Sequence, residues 1–259
     1  EAEEEAKDLE ESGTSPVRLK TTTVGDELKM KFKEEGKVIS VAFKDRAAIT
    51  LGGHKADAVI WYAAKTMKWT TSTYYQKDGK LPGYVKTLNS QRKFTKEYEQ
   101  SNQGIQDTVT LALEAAKHHK VGQNAAPDLI SISLSTHDIV SHETGESPEE
   151  MERIQKEEDA QVGRLLQEFK KLARSKRFLV VLTSDHGNTP NVVKLMENGM
   201  PSGQYNFKSV LTKVNACMDK KGFKSKGDAA VVPFVYSMNF FLDKNFASNA
   251  KARPALKEC

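Results

Sequence analysis

Three short apolar runs, each ending abruptly in charged or metal-capable side chains, constrain the fold of this chain more than any other feature. Val38-Ile39-Ser40-Val41-Ala42-Phe43 is followed by Lys44-Asp45-Arg46. Leu129-Ile130-Ser131-Ile132-Ser133-Leu134 is followed by Ser135-Thr136-His137-Asp138. Phe178-Leu179-Val180-Val181-Leu182-Thr183 is followed by Ser184-Asp185-His186-Gly187. Runs of this length and residue type are expected of strands buried on both faces of a sheet.

Helical patterns alternate with them. Between the second and third runs, Ser147-Pro148-Glu149-Glu150 reads as an N-cap serine, a proline at the first helical position and a glutamate that closes a capping box. Apolar residues then fall at Met151, Ile154, Val162, Leu165, Leu166, Phe169 and Leu172, a one-faced stripe in a helix running to Arg174. Residues 105–118 form a second helix candidate, and Gly25-Asp26 opens a short one reaching about Lys33. This order predicts an α/β fold, a largely parallel sheet with helices on both faces. Ala58–Tyr62 and Trp69–Tyr75 read as a hairpin at the sheet edge, and residues 231–242 as a further strand bent at Pro233.

Composition sets outer bounds. The 259 residues can bury a sizeable core, and a hydrophobic fraction of 38% is too high for a disordered chain. No apolar run approaches the roughly 20 residues that cross a bilayer, so no membrane span is expected. No signal-peptide pattern is visible in these residues. Two cysteines exclude a disulfide scaffold and a cysteine-rich zinc module; Cys217 reads as packed in a helix and Cys259 as a terminal residue. Residues 1–11 hold seven acids against one lysine, so a segment of charge −6 masks a remainder of +10 within the formal +4. The chain divides into an acidic flexible end (1–14), one domain (15–245) and a polar tail (246–259). The lysines at 208, 213, 220, 221, 224 and 226 are dispersed without interleaved aromatics at stacking spacing, which argues against nucleic acid. Oligomeric state is not readable.

Ligands of open α/β sheets bind beyond the carboxyl ends of the strands. Parallel neighbours would therefore bring Lys44, Arg46, Asp138, His142, Asp185 and His186 to one rim. Asp138-x-x-x-His142 spans one helical turn, and Asp185-His186 caps the third run; carboxylate and imidazole together suit zinc or a similar ion. Two such half-sites imply two ions, an arrangement used by phosphatases, with Lys44 and Arg46 as cations over phosphate oxygens. Taken singly, each fragment reads more simply as surface decoration, a turn, or a solvated Lys-Asp-Arg ion pair. His118-His119 reads as a helix end capped through the dipole. His137 reads as pointing away from the site, and His54 is left open.

The Asp138-Ile139-Val140-Ser141-His142 and Thr183-Ser184-Asp185-His186-Gly187 segments together resemble the alkaline phosphatase superfamily. Within the type I phosphodiesterase/nucleotide pyrophosphatase group, the chain is most similar to the PafA-like phosphomonoesterases. Thr23 to Leu28, Val38 to Ile49, Gly53-His54 and Thr71-Ser72-Thr73-Tyr74-Tyr75 carry the resemblance, which runs from about Ser15 to Phe241. It implies zinc-dependent hydrolysis of phosphate monoesters through a phospho-enzyme. Asp138 and His142 would ligate one zinc, Asp185 and His186 the second, and Lys44 and Arg46 would hold the phosphoryl group of small phosphorylated substrates. An exported location, periplasmic or extracellular, is implied too. The family's nucleophile, a neighbouring aspartate and a substrate-contacting asparagine are expected upstream of these residues, and a final zinc histidine downstream. No nucleophile is assigned, since Thr21, Thr22 and Thr23 match no nucleophile motif; the chain reads as a central fragment. Thr50-Leu51-Gly52-Gly53 departs from the family's loop. The alternatives are an inactive metal- and phosphate-binding fragment or pseudo-enzyme, and a phosphotransferase resembling the cofactor-independent phosphoglycerate mutases.

Overall fold

The computed structural model describes residues 14–144, 148–173, 178–187, 190–203, 205–224, 230–236 and 239–259. The acidic-end reading falls largely outside these, as does the Ser147 cap. The chain divides into two compact units, Glu1–Thr189 and Pro190–Cys259. Among the described residues no helix is long and apolar enough to cross a membrane.

The first unit is built on a four-stranded sheet ordered β3-β2-β1-β4, with β1 Val38–Ala42, β2 Ala58–Ala63, β3 Lys68–Thr70 and β4 Leu129–Ser133. β1 pairs parallel with both β2 and β4, and β2 turns back into β3. The predicted hairpin is therefore present, but its first strand lies inside the sheet and only β3 is an edge. Thr71–Tyr75, read as the end of a strand, forms no ladder.

Strand alternation sorts the core into two layers. Ile39, Val41, Phe43, Ile60 and Tyr62 face α3 (Gly83–Gln91) and α4 (Asn102–His118), packing with Val85, Leu88, Leu111, Ala112 and Ala115. Ala42, Val59 and Trp61 face α2 (Asp45–Gly52), through Ala48 and Ile49. Helices thus cover both faces, which is why β1 and β2 can be apolar without interruption. After β4 come α5 (Thr136–Thr144) and α6 (Pro148–Leu172). The α6 stripe behaves as predicted: Met151, Ile154 and Leu165 are buried against α4, α5 and β4 residues.

Two buried polar networks fix the frame. The Trp69 indole donates to Tyr98 Oη at 2.8 Å, and Tyr98 donates to Asp107 Oδ2 at 2.9 Å. Asp107 is fully buried and is forked by Arg92 Nε and Nη2 at 2.9–3.1 Å. Burial foremost pushes the Tyr98 hydroxyl far above its usual range, so it stays a donor. The second network caps α1 (Val24–Lys31). Thr23 N–H donates to Asp26 Oδ2 at 3.0 Å and Asp26 N–H to Thr23 Oγ1 at 3.2 Å, a reciprocal capping box. His54, left open by the sequence, bridges Asp26 Oδ2 at 3.1 Å and the Leu19 carbonyl at 3.2 Å. Thr22 donates to Glu27. Thr23 is thus committed to helix capping, and Thr22 is bonded to a first-turn carboxylate.

The third apolar run overturns its prediction. Phe178–Thr183 forms no strand, and Leu179, Val181 and Leu182 are 88%, 77% and 81% exposed. A buried parallel strand needs covering layers on both faces, and among the described residues nothing covers this one. β4, the open edge of the sheet, is itself only half-buried along its length.

The second unit contains α7 (Val192–Glu197), α8 (Phe207–Lys220), a hairpin of β5 (Phe234–Tyr236) and β6 (Asn239–Phe241), α9 (Lys244–Ala247) and α10 (Ala252–Glu258). The single strand predicted over 231–242 is thus a hairpin, with Val231 and Val232 buried ahead of it. Asn215 clamps Val232 by donating to its carbonyl and accepting its N–H, both at 2.9 Å. Residues 246–259, read as a polar tail, supply Phe246 and Ala252 to this core. Cys217, which lies in α8 as read, and Cys259 form a disulfide across 42 residues, a pairing the sequence left open. Closing a loop of that length stabilises by about 4 kcal/mol on a chain-entropy model.

Gly53 ends α2 at φ 81° and ψ −162°, a region reserved almost wholly for glycine. A Cβ there would lie 2.1 Å from Thr23 Oγ1 and 2.5 Å from Asp26 Oδ2, inside the α1 cap. Gly53→Ala should therefore lower the unfolding free energy by about 2–4 kcal/mol. Denaturant titration checks this; unchanged stability would contradict the assignment of Gly53 to the joint between α1 and α2.

Candidate active site

The candidate site lies at the carboxyl ends of β1 and β4. These strands are in register, with Ala42 opposite Ser133. The chain then leaves each strand for a helix, placing Lys44 just before α2 and Asp138 in the first turn of α5. The Lys44 ammonium donates to Asp138 Oδ2, the shortest link in the cluster. The ion pair read within the Lys-Asp-Arg turn gives way, for Lys44, to this cross-strand one, and Asp45 Oδ1 accepts the Arg46 N–H at 2.6 Å. Arg46 is exposed.

Asp138 is the hub. Its Oδ1 is buried and accepts no hydrogen bond, yet stands 3.3 Å from His142 Nε2 and 3.5 Å from His186 Nε2. His142 reaches it from one turn along α5, where the i,i+4 spacing stacks side chains on one face. His186 reaches it from the segment after the third run. Asp185 Oδ2 lies 3.6 Å from His186 Nε2, and its side chain is 87% exposed. Of the four residues read as ligands, three gather around one carboxylate oxygen, and Asp185 stands at their margin.

Burial is the largest influence on the Asp138 carboxyl and works to raise its pKa. The Lys44 hydrogen bond and charge, followed by the charges of His142 and His186, outweigh it and hold the group below its ordinary value. Asp138 is therefore an anion at neutral pH, able to accept from a cation.

The donor chemistry fits a small divalent ion. Two donors at about 2.0–2.1 Å from a tetrahedral zinc stand roughly 3.3–3.4 Å apart. The two Asp138–imidazole separations match that spacing closely, and the orphaned Oδ1 is the atom such an ion would satisfy. Among the described residues, however, no group of three or more His, Cys, Asp or Glu side chains is arranged so that it could hold an ion. The arrangement is a shared carboxylate flanked by two imidazoles.

Other sequence candidates take structural positions. His137 Nδ1 turns to Glu158 Oε2 at 3.4 Å on α6, away from the cluster. His118 ends α4, and His119 follows as its C-cap. Burial foremost, then the charge of His118, pushes His119 below its usual range, so it does not serve as a cationic dipole cap. Glu99 is a neighbour the sequence did not flag: burial raises its carboxyl, and the Lys44 charge opposes that rise. It sits in a short 3-10 turn, Tyr98–Gln100, outside any motif.

Known proteins share this chain's sequence pattern and fold. The chain is 29% identical over 255 residues to Alkaline phosphatase PhoV of Synechococcus elongatus, covering 79% of this chain and 45% of that protein. It is 25% identical over 258 residues to Alkaline phosphatase PafA of Elizabethkingia meningoseptica, covering 80% and 47%. The chain thus spans about half the length of these curated relatives. The crystal structure of wild-type alkaline phosphatase PafA superposes with a TM-score of 0.78 at 22% identity, covering 92% of this chain and 56% of that one, which is a likeness of fold. The profile of the type I phosphodiesterase / nucleotide pyrophosphatase family matches residues 14–226, and by that extent the chain belongs to this family.

Proposed function

We propose that this chain is the metal- and phosphate-binding core of a zinc-dependent phosphoric monoester hydrolase of the alkaline phosphatase type. The observation that carries the reading is the convergence of Lys44, Asp138, His142 and His186 at one end of the β1–β4 ladder. Membership of a phosphoesterase family and relatives named alkaline phosphatases support it.

Asp138, His142, Asp185 and His186 would hold two zinc ions. When bound, such ions supply Lewis-acid stabilisation to the attacking and leaving oxygens of phosphoryl transfer. The chain's own contribution is positional. β1 and β4 fix the distance between the phosphate cations and the metal ligands, and the low Asp138 pKa keeps that ligand charged. Lys44 and Arg46, two residues apart at the start of α2, would bind the non-bridging oxygens of the phosphoryl group. A net +10 outside the first eleven residues favours the approach of small anionic substrates. A phospho-enzyme route is the one that the resemblance to the family favours, and no nucleophile is assigned.

The Cys217–Cys259 disulfide supports an exported location, since such bonds persist in oxidising compartments. Thiol labelling of native protein, without prior reduction, should find both cysteines blocked; two freely labelled thiols would contradict export.

A monoester carries more charge on its non-bridging oxygens than a diester, and a diester's second alkoxy group occupies one cation's place. Charge-assisted hydrogen bonds of this kind contribute roughly 1.5–3 kcal/mol each, or about ten- to a hundredfold in rate. In protein carrying the flanking regions, Lys44→Ala and Arg46→Ala should each cut monoester kcat/KM by that factor, and diester kcat/KM by much less. Equal losses on the two substrates would refute a monoester-selective clamp.

A further inference from the structure

The Cys217–Cys259 disulfide is the covalent tie between α8 and α10, and one of its two residues is open to solvent. Cys259 is exposed and Cys217 half-buried. Exposed disulfides are the ones a thiol can attack, and they are commonly the labile or regulatory ones.

The other ties on α10 are slight. Its seven residues are too few for a helix to persist by itself in water, where about 12–15 are needed. Ala252 is its one fully buried residue, and Ala255 and Leu256 pack on the α8 core from half-buried positions. The Lys221–Glu258 ion pair joins the ends of α8 and α10, but its side chains are 33% and 67% exposed, where such pairs contribute little. α8 is held differently. Val214 and Met218 are buried with Val231 and Val232, and Asn215 clamps Val232 through two hydrogen bonds. Those ties do not pass through α10. On a chain-entropy model, a cross-link over 42 residues shifts the opening equilibrium by about a thousandfold, more than one buried alanine and an exposed ion pair supply.

We infer that α10 is a redox-controlled strap, closed on α8 by the Cys217–Cys259 bond and released when a dithiol reduces that bond. One thiolate of the dithiol attacks Sγ of Cys259, the exposed partner, and Cys217 leaves as a thiolate that takes up a proton. The second thiol then displaces Cys259. The dithiol closes to its own disulfide, two electrons pass to the protein, and two protein thiols result with no proton left over. Release uncovers Cys217 and the side of the α8 core that Ala252, Ala255 and Leu256 cover. An oxidising compartment keeps the strap shut. The strap is independent of whatever the β1–β4 rim binds.

The test is hydrogen exchange of the 259-residue chain, read by mass spectrometry with and without dithiothreitol at neutral pH. Peptides covering α10 should exchange at least tenfold faster in the reductant, while those covering α8, β1 and α4 change less than threefold. Fluorescence of Trp61 and Trp69, both in the first unit, should be unaltered. Cys259→Ser without reductant should reproduce the fast exchange of α10. Lys221→Met, with the disulfide intact, should leave it within twofold. Equal protection of α10 in both conditions would overturn the strap, as would a bond that millimolar dithiothreitol does not reduce in the folded chain. So would faster exchange throughout the second unit or in β1 and α4, which would make the bond a support of the fold at large. A Lys221→Met effect as large as that of Cys259→Ser would overturn it too.

Discussion

The parallel pairing of β1 with β4 is the constraint from which the site follows. Two adjacent strands that run the same way and stay in register end at the same level, and whatever each chain carries next must meet its neighbour. Ala42 opposite Ser133 brings the residues after β1 beside those after β4, so Lys44 and Asp138 touch though 94 residues separate them in sequence. A one-residue slip would turn every strand side chain to the other face and break both core layers at once. The helices over each face hold that register: α2 locks Ala42, Val59 and Trp61, and α4 locks Ile39, Val41 and Phe43.

The polar networks serve the same end at lower levels of the fold. The Trp69–Tyr98–Asp107–Arg92 chain ties the edge strand to α4 through buried, satisfied hydrogen bonds. Tyr98 opens the turn that carries Glu99, so this network also brings the half-buried Glu99 carboxyl within the field of Lys44. The Thr23–Asp26–His54 knot joins α1 to the end of α2, the helix that Lys44 precedes.

What was legible in the sequence follows the range of the physics involved. β1, β4, α1, α4 and α6 are set by local periodicity, capping and run length, and they were readable to within a few residues, whereas α2 and α3 were not anticipated. The meeting of Lys44 with Asp138 was readable because parallel topology predicts where β1 and β4 deliver their next side chains. Phe178–Thr183 has the composition of a buried strand, but burial depends on covering layers that no local pattern specifies, and these residues remain exposed. The partners of His54, the field on Glu99 and the Cys217–Cys259 bond depend on distant segments meeting, and two cysteines announce no pairing by themselves. The Lys-Asp-Arg turn shows the same limit. Its local reading keeps the ion pair within the turn, and the fold pairs Lys44 with Asp138 instead.

The central claim is that Asp138 with its flanking imidazoles forms a metal centre. Diffraction from crystals soaked in zinc, recorded on both sides of the zinc absorption edge, tests it most directly. An anomalous peak within about 2.0–2.2 Å of the Asp138 carboxylate and the His142 imidazole is the predicted result. Zinc bound only at other residues, or no peak at the β1–β4 rim, would contradict the account.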